Sequence, residues 1–207
     1  MKDNQTPAYP AAFGYYTKKV RDTYIDQAIA AKTLPQKVRE DEDIMSLVAP
    51  IDPAQPIQFW QLYSVLGPER ILALTTQFYQ RVFVAEPWFR SVFERVGGVS
   101  HHANAQALMW ADVMGGGRYY HGGEDRLNFH HHHNAMQLMT DAGARHWAQI
   151  MRQSLDESAS LMSHDTRIRP AMNTFLAHFF AKYASEFTFT NDSDFGESNP
   201  LVLPVSN

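Results

Sequence analysis

Apolar residues recur at helical spacing along most of the chain, and almost no stretch shows the two-residue alternation of a strand. Beyond Pro68, the positions Ile71, Leu72, Phe78, Tyr79, Val82 and Phe83 mark a helix that must end by Pro87. A second helix is expected from about Ser100, with Leu108, Met109 and Val113 apolar, and it stops at Gly115, Gly116 and Gly117. Trp147, Ile150, Met151 and Leu155 form a third stripe, and Ile168, Met172, Phe175, Leu176, Phe179 and Tyr183 a fourth. Residues 17 to 47 are charged but helix-permissive, with a break at Pro35. The polar, glycine-containing segment from Arg118 to Asn128 reads as loop, and the turn-rich sequence after Thr190 reads as disordered. The prolines at 50, 53 and 56 divide an N-terminal, partly helical extension (1–57) from the main domain (58–187), with 188–207 as a tail. The expected architecture is all-α, with four or five long helices around one core, and an extension that the main domain can do without.

Composition narrows the function classes. The 207 residues are 44% hydrophobic and carry a formal net charge of −4, so one sizeable core is available and a nucleic-acid partner is not suggested. No cysteine is present, which excludes disulfides and thiolate metal sites. The first residues lack an apolar leader core and no run of 18 apolar residues follows, so a soluble, cytoplasmic protein, monomeric or homodimeric and independent of membranes, is expected.

The most unusual feature is FHHHHN, residues 129 to 134. Consecutive helical residues point about 100° apart, so four adjacent imidazoles cannot converge on one metal from a continuous helix. At most His130 and His133 share a face. Three readings stay open on the residues alone. The run is a solvated polar patch; or it joins His101, His102 or His121 in a Zn or Ni site, as in a haem-free metal-binding or sensor protein; or one neutral imidazole serves as the axial ligand of a haem. The chain contains neither an HExxH motif nor an EF-hand loop to support a conventional metal site.

QLYSVLG (61–67), QFYQRVF (77–83), WFRSVF (88–93), GGGRYY (115–120), the histidine run and ARHWAQIM (144–151) together resemble the truncated haemoglobins, most closely their second group. The resemblance covers residues 58 to about 187 and implies a globin-like, two-on-two helical sandwich that binds haem. In that family the proximal histidine comes thirteen residues after a tyrosine that follows the glycine pair, and counting from Tyr120 lands on His133. The family's residues at +3 and +5 are matched by Met136 and Leu138, and its pocket tryptophan by Trp147, fourteen residues on. His133 is thereby implied as the iron ligand, and His132 stands where relatives carry an arginine that reaches a propionate.

The same resemblance implies the rest of the pocket. Tyr79 matches the tyrosine that donates to bound dioxygen, and Phe93 the aromatic residue packed on the porphyrin. His102 falls at the distal position, Gln106 one turn later, and Trp147 turns its indole N–H to the same space. Without the resemblance, Phe93, Trp147 and Tyr79 read as ordinary core aromatics and Gln106 as a surface amide. The chain departs from group II at His102 and Gln106, where smaller residues are common, at Gly117 in place of a proline, and at Ala105 in place of a basic residue. A distal His102 could itself bind iron. With Tyr79, His102, Gln106 and Trp147 as donors, the pocket suits dioxygen and other diatomic ligands, with nitric oxide dioxygenation or peroxide reduction as the chemistry and an electron donor or reductase as partner.

Overall fold

The computed structural model describes residues 8–192, 194–199 and 201. The described residues form five helices of fourteen residues or more: α1 (Thr17–Ala30), α3 (Tyr63–Val82), α5 (Val99–Val113), α7 (Asp141–Glu157) and α9 (Ile168–Phe187). Shorter pieces connect them: α2 (Glu42–Met45), α4 (Pro87–Glu94), α6 (Gly123–Phe129) and α8 (Ala159–Met162).

Periodicity explains the long elements. On α3 the buried positions Ile71, Leu74, Phe78, Tyr79 and Val82 follow the three-and-four spacing of one helical face. The helix is broken at Gly67, whose φ of 70° precedes Pro68 at the start of the next turn; a Cβ there would also collide with the Tyr9 ring. α5 crosses α3 closely where Ala103 and Ala107 are small, and the Thr75 hydroxyl donates to the Ala103 carbonyl at 3.0 Å. Ring contacts tie the layers together: Phe78 to Trp147 joins α3 to α7 at 5.2 Å, and Trp110 to Phe175 joins α5 to α9 at 5.3 Å. α5 ends where the glycine triplet predicts. Gly115 takes φ 92°, and any side chain there would meet the Trp60 carbonyl.

Three expectations change. The segment 118–128 is not all loop: α6 begins at Gly123, with Glu124 and Asp125 favourably placed in its first turn and Leu127 buried beneath it. The chain after Thr188 does not leave the surface either. Phe189, Phe195 and Leu201 are buried, and Asn173 donates to the Glu197 carbonyl at 2.7 Å; of the tail expected to be disordered, residues 193, 200 and 202–207 lie outside the described residues.

The third concerns the extension, which shares the core of the main domain. Ile25, Val38 and Ile44 are buried with Phe59 and Trp60. Trp60 Nε1 donates to the Ile44 carbonyl at 2.9 Å, and Gln61 Nε2 to that of Asp43 at 2.7 Å. The proline cluster is gripped by Arg167, whose Nη1 reaches the carbonyls of Pro50, Asp52 and Gln55. At the start of α1 the fully buried carboxylate of Asp112, on α5, accepts from the backbone N–H groups of Tyr15 and Tyr16 at 2.8 Å each, supplying from another helix the partner that an N-terminal turn lacks. No described helix is long and apolar enough to cross a membrane.

Candidate functional site

One cavity of about 350 Å³ opens between two walls. The first wall is built by α3, α4 and α5. Tyr79 stacks on His102 with ring centres 5.2 Å apart and meets the edge of Phe93 at 5.8 Å. Burial, and next the nearby Tyr120, push the Tyr79 phenol well above its ordinary range, so it stays protonated and its hydroxyl can only act as a neutral donor or acceptor. That hydroxyl makes no hydrogen bond among the described residues. Gln106, half-buried one turn beyond His102, is likewise without a hydrogen bond there and lines the same space.

His102 is held differently. Its Nε2 lies 2.9 Å from the Phe93 carbonyl, to which it must donate, because the carbonyl can only accept. Burial lowers its pKa and keeps the ring neutral. With Nε2 committed to the end of α4, His102 fixes the relative placing of Phe93 and Tyr79, and iron binding through Nε2 would require that bond to break.

The second wall is the chain from Tyr120 to Met139. Arg126 lies with its guanidinium 4.6 Å from the Tyr120 ring centre, lines the cavity, and forms no ion pair among the described residues. Residues 130–134 continue α6 as a single wider π-turn, with Ala135 N–H donating to the His130 carbonyl, five residues back. Leu127, His130, His131, Asn134 and Leu138 turn to the cavity. His130 is half-buried, with Nδ1 3.4 Å from the Asn134 amide; burial, then His102 across the cavity, lower its pKa. His131 sits 4.3 Å from Tyr183 of α9, its Nδ1 buried without a hydrogen bond of normal geometry. Burial, and next His130, depress its pKa to about 3. Trp147, Phe175, Phe179, Phe180 and Tyr183 close the back of the cavity from α7 and α9.

Six of the eight residues singled out from the sequence therefore meet in one place: Tyr79, Phe93, His102, Gln106, Tyr120 and Trp147. The other two do not. His133 is exposed, lies flat on Phe129 at 4.1 Å, and shares a 3.0 Å hydrogen bond with the Phe129 carbonyl. His132 is exposed as well, with Nε2 2.9 Å from Glu186 and its ring on Phe187. The π-turn sets where the imidazoles point: it advances less than 100° per residue, and along it His130, His131 and Asn134 line the cavity while His132 and His133 are exposed. The residues that the spacing argument missed, His130, His131, Asn134 and Arg126, carry the helical signature 127, 130, 131, 134, 138, which is visible once α6 is recognised as a helix. Among the described residues no three His, Asp or Glu side chains converge as a metal site, so the run does not assemble a Zn or Ni cluster with His101, His102 or His121.

Comparison with protein families places residues 61–181 in the bacterial-like globins. The chain belongs to that family, and its all-α fold is globin-like. Membership implies haem and the binding of diatomic gases such as dioxygen. Neither the curated proteins nor the solved structures gave a match.

The chemistry of the cavity fits haem. A flat apolar disc with two anionic edges and one metal needs aromatic walls, a cation at the rim and an imidazole within. The aromatic side chains, the unpaired Arg126 and the inward imidazoles of the run meet each requirement.

Proposed function

We propose that the chain is a haem-binding globin of the truncated type, nearest to group II, that binds dioxygen and uses it in redox chemistry rather than delivery. The observation that carries this reading is a wall of imidazoles facing a protonated, unpartnered Tyr79 hydroxyl across one aromatic cavity. Haem supplies the metal at which diatomic gases bind and exchange electrons. The chain's own part is to hold it and to place protons. Phe93, Trp147 and Phe179 bury its faces, Arg126 meets an anionic edge, and an imidazole of the histidine run anchors the metal.

Tyr79 and Gln106 then offer donors toward the gas, which favours a ligand that gains negative charge. Held neutral by burial, the tyrosine retains its proton throughout the pH range of the cell. His102 positions the phenol by stacking, and the surrounding rings exclude water. Donors of this kind favour reactions such as nitric oxide dioxygenation, in which nitric oxide, dioxygen and one electron give nitrate, or reduction of peroxide to water by two electrons and two protons. Both require an external electron donor. The purified chain is expected to take up one iron as haem, with a Soret band in the visible spectrum. Iron-free protein that gives no band on addition of haem would refute the reading.

A further inference from the structure

Resting on the haem-binding, peroxide-reducing reading above, we infer that the chain has a second site of oxidation on its surface, where a phenolic reductant docks beside Tyr119 and Arg118 and its electrons reach the cavity through Tyr119 and Tyr120. Three phenols line the cavity: Tyr79 on the first wall, Tyr120 on the second and Tyr183 at the back. Tyr120 lies near both others. After burial it is the next cause of the raised pKa of Tyr79, and after burial, Tyr16 and Glu186 it adds to that of Tyr183. None of the three hydroxyls has a hydrogen bond among the described residues, so the row is not a proton wire. It can pass electrons, because phenol rings are among the side chains most easily oxidised by one electron and the chain has no cysteine to compete.

Tyr120 is also where the row meets the surface. It is 5% exposed, whereas its chain neighbour Tyr119 is 46% exposed and lies outside the cavity, 6.4 Å ring to ring from Tyr63. The N-terminal segment adds two more rings to that face. Ala12 N–H donates to the Gly115 carbonyl at 2.8 Å, which brings the exposed Phe13 and Tyr15 alongside. The Arg118 guanidinium lies 5.6 Å from the Tyr15 ring centre, and the His121 ring 5.2 Å from it. Arg118 forms no ion pair among the described residues. Exposed aromatic rings around a free guanidinium suit a flat ring that carries a negative charge, so the reductant is a phenol bearing carboxylate.

The electron count closes. Hydrogen peroxide reduced in the cavity takes up two electrons and two protons and leaves as two waters. Each electron comes from Tyr120, whose O–H proton goes with it; Tyr119 then gives Tyr120 an electron, and a proton from solvent restores its hydroxyl. Tyr119, oxidised in turn, releases its proton to solvent and regains both electron and proton from the O–H bond of the docked phenol. Two phenols leave as phenoxyl radicals, which couple in solution.

The full chain, loaded with haemin and mixed with hydrogen peroxide, tests this. Freeze-quenched electron paramagnetic resonance should show a tyrosyl radical, and a nitroso spin trap followed by peptide mass spectrometry should place an adduct on Tyr119. Tyr120→Phe should lose that adduct although Tyr119 is still present. The substrate probe is a random copolymer of glutamate and tyrosine, too large for a cavity of about 350 Å³, with its coupling read as dityrosine fluorescence. Tyr119→Phe should slow that coupling at least about tenfold, and Arg118→Ala should raise KM more than it lowers kcat. Haemin uptake and the helical melt should match wild type in both, which separates these losses from misfolding. An adduct on Tyr183 or Trp88 with none on Tyr119, peroxide consumed without a protein radical, or wild-type coupling by Tyr119→Phe would overturn the surface site and leave haem binding standing. Equal coupling of a lysine and tyrosine copolymer would overturn the anionic substrate class. A chain that takes up no haemin, or leaves peroxide unreduced once loaded, would instead remove the reading on which the site rests.

Discussion

The two walls of the cavity are built to different standards. The wall of α3, α4 and α5 rests on two long helices, α3 and α5, and its His102 is locked twice, by the Phe93 carbonyl at the end of α4 and by its stack on Tyr79. The wall of α6 and the histidine run is a short helix that widens into a π-turn and leaves two of its four imidazoles in solvent. It is braced from outside. Glu124 at its start pairs with Lys19 of α1 and, at 3.4 Å, with Lys182 of α9, while Tyr15 packs against Gly123. Rigidity on the first wall is local to the helices that carry the donors, whereas on the second it is borrowed from the N-terminal extension.

That difference can be broken most severely by removing the extension. Deleting residues 1 to 50 strips Val20, Ile25, Leu34, Val38 and Ile44 from the core. At roughly 1.5 to 3 kcal/mol for each buried aliphatic side chain, the loss is comparable with the whole stability of about 5 to 15 kcal/mol of a natural domain. The truncated chain should show no cooperative thermal transition by circular dichroism. A truncated chain that melts as the full chain does would show that the second wall stands alone.

A single residue should reproduce much of that effect. Asp112→Ala removes the buried acceptor of two α1 N–H groups and should lower stability by about 3 kcal/mol in urea titrations. Asp112→Asn, which can still accept one bond, should recover part of it.

Buried imidazoles sharpen the comparison through pH. The unfolded chain takes up a proton on each histidine near pH 6.5, but His178 resists protonation to about 4 and His131 to about 3, burial being the first cause for both. Between those values the unfolded state binds more protons, so stability is lost as pH falls below about 6.5, at up to about 1.4 kcal/mol per pH unit and group. His178 belongs to the junction with the extension, stacked on Phe59 at 5.6 Å, and His131 to the second wall. Urea midpoints at pH 7 and pH 5 for wild type, His178→Phe and His131→Phe should therefore show a shallower pH dependence in each variant. An unchanged slope in both would mean that neither ring is desolvated.

The smallest effect belongs to the first wall. A hydrogen bond to a ligand gaining charge contributes roughly 1.5 to 3 kcal/mol, so Tyr79→Phe should speed dioxygen release on the order of 10- to 100-fold. Combined with Gln106→Leu the change should be non-additive, since both donors face one space. Stopped-flow release at the same rate in both variants as in wild type would mean that neither side chain points at the gas.

How much of this was legible in the sequence follows the same division. On α3, α5, α7 and α9 an apolar stripe three or four residues apart fixes the helices and their buried faces, whereas it was the resemblance to the truncated haemoglobins that put Tyr79, His102, Gln106 and Trp147 in one pocket. The glycine triplet gave the end of α5, because Gly115 needs a backbone that other residues avoid. In the histidine run the hydrogen bonding changes from four residues to five, so residue spacing alone does not say which imidazoles face the cavity. In the extension, Ile25, Val38 and Ile44 are single apolar residues scattered among charges, and their partners lie far along the chain. Asp112 left no trace at all: an isolated acid in a helix looks like surface until the backbone that it caps is seen beside it.

The central claim is that the cavity between these walls holds haem. Ala144 of α7 lines that cavity and is buried, so Ala144→Trp puts a bulky ring into it while Tyr79, Gln106 and the histidine run keep their own side chains. Haemin titration of wild type and Ala144→Trp, with the helical melt followed alongside, measures the claim directly. The account predicts one haem per wild-type chain and no stoichiometric uptake by a variant that still melts cooperatively. Equal uptake by both chains, or none by wild type, would contradict it.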